Sequence, residues 1–149
     1  MIEYIKGNLF DNLTTPSCIV HIVNNRGFWG AGFTAGLDEH FPLVKKDYIG
    51  FNEQHTLGMC LRSSIGENSK VLHLVAQTGV YDKQYNTRPL NYEALYQCLE
   101  ESGKYIQENY SHLNVVMPKI GSGLARGNFK IISTMIEELY DFPVTVFEL

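Results

Sequence analysis

The sequence predicts an α/β sandwich, a central sheet covered by helices on both faces. Three observations predict it. Strand-like and helix-like stretches alternate along the chain, as they do when crossover helices pack over a sheet. Several strand candidates carry continuous apolar runs, Ile19-Val20, Val71-Leu72 and Val115-Val116-Met117, which suit strands buried on both faces. Two glycine-rich segments each lead from a strand into a helix, where open α/β sheets hold their ligands.

The elements follow in order. Ile2–Lys6 alternates apolar and polar residues and reads as a first strand, not as a signal peptide. Cys18–Val23, Thr56–Ser63, Lys70–Ala76, Leu113–Met117 and Val144–Phe147 are the further strand candidates. Ala31–His40, Leu43–Gln54, Tyr92–Tyr110 and Asn128–Tyr140 read as helices. In the third, Leu95, Leu99, Gly103 and Ile106 recur at helical spacing, with Asn91 placed to cap it. In the fourth, Ile131, Ile132, Met135, Ile136 and Leu139 form an apolar stripe behind the capping candidate Asn128, and Pro143 stops the chain before the last strand. The polar stretch from Gly79 to Pro89 is the long connection, either a functional loop or a surface excursion.

Bulk properties narrow the function. A chain of 149 residues suits one domain, 1–149, with a single sizeable core. The net charge of −4 argues against general nucleic-acid binding, and no apolar run is long enough to span a bilayer. Cys18, Cys60 and Cys98 are odd in number, widely spaced and without a nearby histidine cluster. They read as reduced thiols packed in a cytoplasmic core. His40, His55 and His112 lack metal-ligand spacing, so no metal or cofactor is expected.

The second glycine-rich segment, Ile120-Gly121-Ser122-Gly123-Leu124-Ala125-Arg126-Gly127, is the more informative. Its glycines let main-chain N–H groups approach a ligand, and the following helix N-terminus adds partial positive charge. A phosphate or pyrophosphate suits that setting. The first segment, Asn24-Asn25-Arg26-Gly27-Phe28-Trp29-Gly30-Ala31-Gly32-Phe33, has the same strand-loop-helix context. The two converge on one crevice if their strands are neighbours. Neither matches the G-x-G-x-x-G or G-x-x-x-x-G-K-[ST] pattern. Asn24 and Asn25 suit sugar hydroxyls, or serve only as turn residues. Phe28 and Trp29 either wall a pocket or anchor the loop. Arg26 and Arg126 are candidate anion partners. His21, inside the strand before the loop, is either a core histidine or a general acid or base; His73 reads as structural. No serine elbow or paired-carboxylate signature is present.

With both loops in place, the chain resembles the macro domain family of ADP-ribose-binding modules. The resemblance rests on Lys6-Gly7-Asn8-Leu9-Phe10, on His21-Ile22-Val23-Asn24 continuing to Gly30-Ala31-Gly32, and on Met117-Pro118-Lys119-Ile120-Gly121-Ser122-Gly123-Leu124. It is similar to the branch holding terminal ADP-ribose protein glycohydrolase and short bacterial and phage proteins described as ADP-ribose-1″-phosphate phosphatases. The resemblance implies a three-layer α/β/α sandwich with a mixed central sheet. It implies that ADP-ribose lies across the strand ends, with Asn8 and Leu9 toward adenine and Asn24 toward the distal ribose. Amides around Gly30, Ala31, Gly32, Gly121, Ser122, Gly123 and Leu124 would hold the diphosphate and ribose, beside Trp29, Phe33 and Arg126. Where the glycohydrolase has its lysine nucleophile and its aspartate, this chain has Gln77 and Ala125. Neither can replace those groups, so the lysine mechanism is expected to be absent.

Three functions compete at this point. One is hydrolysis of a group at the distal ribose, with ADP-ribose-1″-phosphate the simplest substrate and His21 and Asn24 the catalytic candidates. The second is a binding module for ADP-ribose or a related NAD-derived signal. The third is lysine-independent removal of ADP-ribose from a macromolecule.

Overall fold

The computed structural model describes residues 1–13, 16–29, 32–50, 55–66, 68–79, 84 and 87–149. Six strands form one sheet: β1 Ile2–Lys6, β2 Ser17–Asn24, β3 Cys60–Ile65, β4 Ser69–Gln77, β5 Asn114–Pro118 and β6 Val144–Glu148. Their order is β1-β6-β5-β2-β4-β3. All neighbours pair parallel except β3 and β4, which pair antiparallel, so the sheet is mixed. Among the described residues four α-helices accompany it: α1 Phe33–His40, α2 Leu43–Gly50, α3 Tyr92–Asn109 and α4 Phe129–Leu139.

The period of two in the central strands sorts side chains onto two cores. Cys18 and Val20 of β2, with Leu72, Leu74 and Ala76 of β4, meet Leu95, Leu99 and Ile106 of α3 and Ile132 and Ile136 of α4. Alternate residues, Ile19 and Val71, meet Leu37 of α1 and Val44 of α2. Val23 and Val75 meet Tyr48 of α2. Helices thus cover both faces, and the three-layer α/β/α expectation holds.

Element ends follow local chemistry. Asn91 accepts from the Ala94 N–H at 2.9 Å and Asn128 from the Lys130 N–H at 2.9 Å, so both caps lie where the sequence puts them. Most other ends shift by one or two residues, and three differences are informative. β3 begins at Cys60 and not at Thr56, because Met59 N–H bonds back to the Thr56 carbonyl and the chain turns there. The first helix begins at Phe33, after Gly32 at φ 61. The second ends at Gly50, and its expected last turn falls on 51–54, outside the described residues. A short 3-10 turn, Leu9–Asn12, went unforeseen; Asn8 caps it by accepting from the Phe10 N–H at 2.8 Å.

Candidate functional site

β5, β2 and β4 are parallel neighbours, so their C-terminal ends lie on one edge of the sheet. The first loop leaves β2 there and the second leaves β5. The convergence expected from sequence is therefore met. A Cβ built on Gly32 would lie 3.9 Å from Leu124 Cδ1, so the loops lie side by side. The segment before α3 closes the same edge. Leu90 N–H donates to the Ala125 carbonyl at 3.0 Å, and Leu90 bridges to Gln77.

Main-chain geometry gives the second loop its chemistry. Gly121 sits at φ +74, with Ile132, Ile22 and Leu90 only 3.0 to 3.2 Å from where a Cβ would be. Glycine is required there on both counts. Gly127 N–H closes the loop onto the Gly121 carbonyl at 2.6 Å. Gly123, by contrast, would carry a Cβ into open space. The N–H groups of Gly123 and Leu124 donate to no group among the described residues, and both residues are exposed. Across from them α1 begins at Gly32 with no side-chain cap. Uncommitted N–H groups and a helix N-terminus on one edge of a sheet are groups that can hold an anion.

The first loop is a self-supporting turn. Asn24 Oδ1 accepts from the N–H groups of Arg26 and Phe28, at 2.9 and 3.0 Å. Its Nδ2 donates to the Phe28 carbonyl at 2.8 Å. Tyr48, fully buried on α2, donates its hydroxyl to the Asn24 carbonyl at 3.1 Å. Asn25 Oδ1 accepts from Gly79 N–H at 2.9 Å and ties this turn to the end of β4. Trp29 Nε1 donates to Asp38 of α1 at 2.9 Å, and its ring lies 4.9 Å from that of Tyr48.

A separate groove of about 650 Å³ lies between Leu57–Met59 and α3. Glu100, Glu101 and Glu108 outnumber Lys104 along it, the wrong charge for a diphosphate.

The family model described as "Thoeris protein ThsA, Macro domain" matches residues 36–149. The chain belongs to this macro domain family. Its curated relatives include an ADP-ribose 1″-phosphate phosphatase of Meyerozyma guilliermondii, 40% identical over 55 residues. That match takes in 36% of this chain and spans only 31% of the yeast protein. ADP-ribose glycohydrolase OARD1 of Homo sapiens is 28% identical over 155 residues, covering 99% of this chain and 91% of the human one. Among solved structures, a protein of unknown function from Bacteroides thetaiotaomicron superimposes with a TM-score of 0.88 at 29% identity, covering 100% of this chain and 98% of that one.

Within this macro domain the expected site residues divide. Gly32, Gln77, Gly121, Ser122, Gly123, Leu124, Ala125 and Arg126 all come to the crevice edge. Gly30 and Ala31 fall outside the described residues. Ser122 Oγ donates to the Lys119 carbonyl at 2.7 Å. Ala125 is buried, so the loop offers neither acid nor base at that position. Arg126 is held at φ 62, a left-handed conformation unfavourable for a side-chain-bearing residue.

Packing limits what the other expected residues can do. Leu9 is a core residue at 3% exposure, so only its main chain can reach a ligand. Asn8 is exposed but commits Oδ1 to the Phe10 N–H. Trp29 anchors its loop to the core, while Phe28 is the aromatic left 54% exposed. Phe33 stacks on Phe10 at 5.1 Å. Asn24 uses its side chain to build the turn, the alternative its residue type left open.

His21 changes most. It is 1% exposed, beside His73 in the register of β2 and β4. Burial, then the neighbouring His73, holds it well below the ordinary imidazole value. Burial, then the His55 charge, brings His73 down to about 3. A neutral, sealed imidazole cannot exchange protons with a substrate in the crevice. Tyr48 and Leu90 were missed altogether. Each acts on a loop distant in sequence, so no local pattern announces it.

Proposed function

We propose that this macro domain is a receptor for ADP-ribose or a derivative substituted at the distal ribose. One observation carries the reading: the uncommitted N–H groups of Gly123 and Leu124 lie on the same edge of the sheet as the start of α1, with Leu124 beside Gly32. Donors fixed in place on both sides of a crevice suit a diphosphate, which takes many hydrogen bonds and brings two negative charges. The ThsA macro family match and the names of the yeast and human relatives support ADP-ribose as the molecule bearing that diphosphate.

The receptor reading also fits what the crevice lacks. Gln77 and Ala125 supply no nucleophile or acid, His21 is sealed in the core, and Asn24 is engaged in its own turn. The second reading is hydrolysis of ADP-ribose-1″-phosphate, favoured by the match to the yeast phosphatase. On this chain it would rely on a substrate phosphate oxygen to take the proton from attacking water. Gly123 and Leu124 N–H groups would then hold the developing charge.

Titration calorimetry with ADP-ribose at neutral pH tests the shared premise. Saturable one-to-one binding is expected, and absence of heat at millimolar ligand would refute both readings. Phosphate release from ADP-ribose-1″-phosphate separates them. A rate equal to the protein-free control is expected of a receptor; turnover that Gly123→Glu abolishes would establish the hydrolase.

A further inference from the structure

A chain of three polar side chains runs beneath the first loop. Ser63 Oγ lies 2.8 Å from His73 Nε2, and His73 Nδ1 lies 2.6 Å from His21 Nε2. The chain ends at His21 Nδ1, a buried atom with no hydrogen-bond partner. Aromatic rings pack against the pair: Trp29 lies 6.0 Å from the His21 ring centroid and 6.1 Å from that of His73, and Phe33 lies 5.6 Å from that of His21.

Proton bookkeeping along this chain has a definite outcome. One hydrogen lies between the two rings. In the neutral pair His21 Nδ1 is either a bare lone pair or an N–H, according to which ring owns the shared hydrogen. One added proton removes the choice. His73 Nε2 and His21 Nδ1 then both carry hydrogen, whichever ring holds the charge. Ser63 Oγ can accept the first. The second has no acceptor, and a buried donor without one costs about 1–3 kcal/mol, more when charged.

The geometry points to a proton-sensitive seat for the first ligand loop: a proton taken up by the His21–His73 pair expels Trp29, loosens the loop it anchors and weakens ADP-ribose binding. The affinity part rests on the ADP-ribose reading of the crevice; the movement of Trp29 does not. Described residues face the pair from each neighbouring element. β3 brings Ser63, and α2 brings Tyr48, whose ring lies 5.8 Å from His73 and whose hydroxyl burial keeps neutral. His55 follows α2, its ring 4.5 Å from that of Tyr48 and against Gly27. Asp38 of α1 accepts the Trp29 indole N–H. The loop itself carries Arg26, a second positive charge. Release is transmitted directly, because Trp29 packs on Tyr48 and Tyr48 holds the Asn24 carbonyl.

Trp29 is the chain's single tryptophan, so its emission reports this seat alone. The test titrates the whole chain from about pH 7.5 downward, following Trp29 emission, far-UV circular dichroism and ADP-ribose affinity. The expected result is a red shift of Trp29 while the dichroism stays native. Affinity then weakens over the same interval by up to about tenfold per pH unit, the slope for uptake of one proton. The double variant His21→Phe/His73→Phe removes both titrating rings and should flatten both responses. If that variant does not fold, ring-nitrogen NMR on ¹⁵N-histidine-labelled wild type replaces it, with protonation of the pair expected at the pH where Trp29 moves. Emission that changes only with the dichroism, rings still neutral when Trp29 moves, or equal acid loss of affinity in the double variant would each overturn the proposal. Absence of ADP-ribose binding at neutral pH would sink the functional reading alone, since the Trp29 response is read without ligand.

Discussion

Two glycines two residues apart in the second loop should fail in opposite ways. At Gly121 a methyl group meets Ile132, Ile22 and Leu90 at 3.0 to 3.2 Å, on a backbone at φ +74. The left-handed conformation costs a side-chain-bearing residue about 1–2 kcal/mol, and overpacking typically adds about 1–3 kcal/mol. Gly121→Ala should therefore lose roughly 2–5 kcal/mol. For a domain of this size that is a fall in Tm of roughly 5–15 °C, read by scanning calorimetry. At Gly123 the same methyl meets nothing within 4 Å. Gly123→Glu should fold with a Tm close to the parent, yet place a carboxylate where the diphosphate sits. One like-charge pair at 4 Å costs about 4 kcal/mol at an effective dielectric of 20, close to a thousandfold in affinity. Gly123→Gln, equal in size and uncharged, separates bulk from charge. Calorimetric titration of ADP-ribose into the folded variants is the assay. Wild-type affinity in Gly123→Glu would refute the assignment of the second loop to the anion.

Three further outcomes follow from packing. His73 is neutral in the fold, with its value lowered from 6.5 to about 3. The unfolded chain therefore binds the extra proton between those values, and this contribution to stability, full above 6.5, is lost as pH falls. About 2 kcal/mol should go between roughly pH 6.5 and 4.5, and His73→Phe should flatten that part of the urea-denaturation profile. Asn24→Ala removes three hydrogen bonds of the first loop and should cost about 2 kcal/mol of stability together with affinity. Lost affinity at unchanged stability would instead show Asn24 to be a direct ligand contact. Ser102→Ala leaves the Tyr140 hydroxyl, 2.6 Å from Ser102 Oγ and fully buried, without that partner. A loss of about 1–3 kcal/mol is expected in chemical denaturation, with ADP-ribose binding intact.

The fold was largely legible because its signals are local. Apolar runs mark β2, β4 and β5, and Asn91 and Asn128 cap their helices through bonds within a few residues. The boundary misses have local causes as well: the Thr56–Met59 turn and the left-handed Gly32 are backbone choices that a composition of apolar residues does not reveal. The loops were legible through glycine, since main-chain donors near an anion need residues without bulk. Individual side chains were harder. Asn24 and Trp29 each allowed a ligand role and a structural one, and the choice depended on partners four to twenty-four residues away, Phe28, Asp38 and Tyr48 among them.

By itself the sequence determined the layered α/β architecture, two glycine loops at strand ends, and the identities Gln77 and Ala125, neither of which supplies a nucleophile or an acid. Those are matters of period, spacing and residue identity, which chain order contains in full. Only the tertiary structure decided that β2 pairs with β5, so that the loops share one edge and Gly32 meets Leu124. It alone decided that His21 faces His73 inside the core, where burial keeps an imidazole neutral, and not the crevice where it could act as an acid or base. Proximity across 52 residues and the solvent exposure of a single ring nitrogen arise from packing, and no stretch of chain specifies either alone.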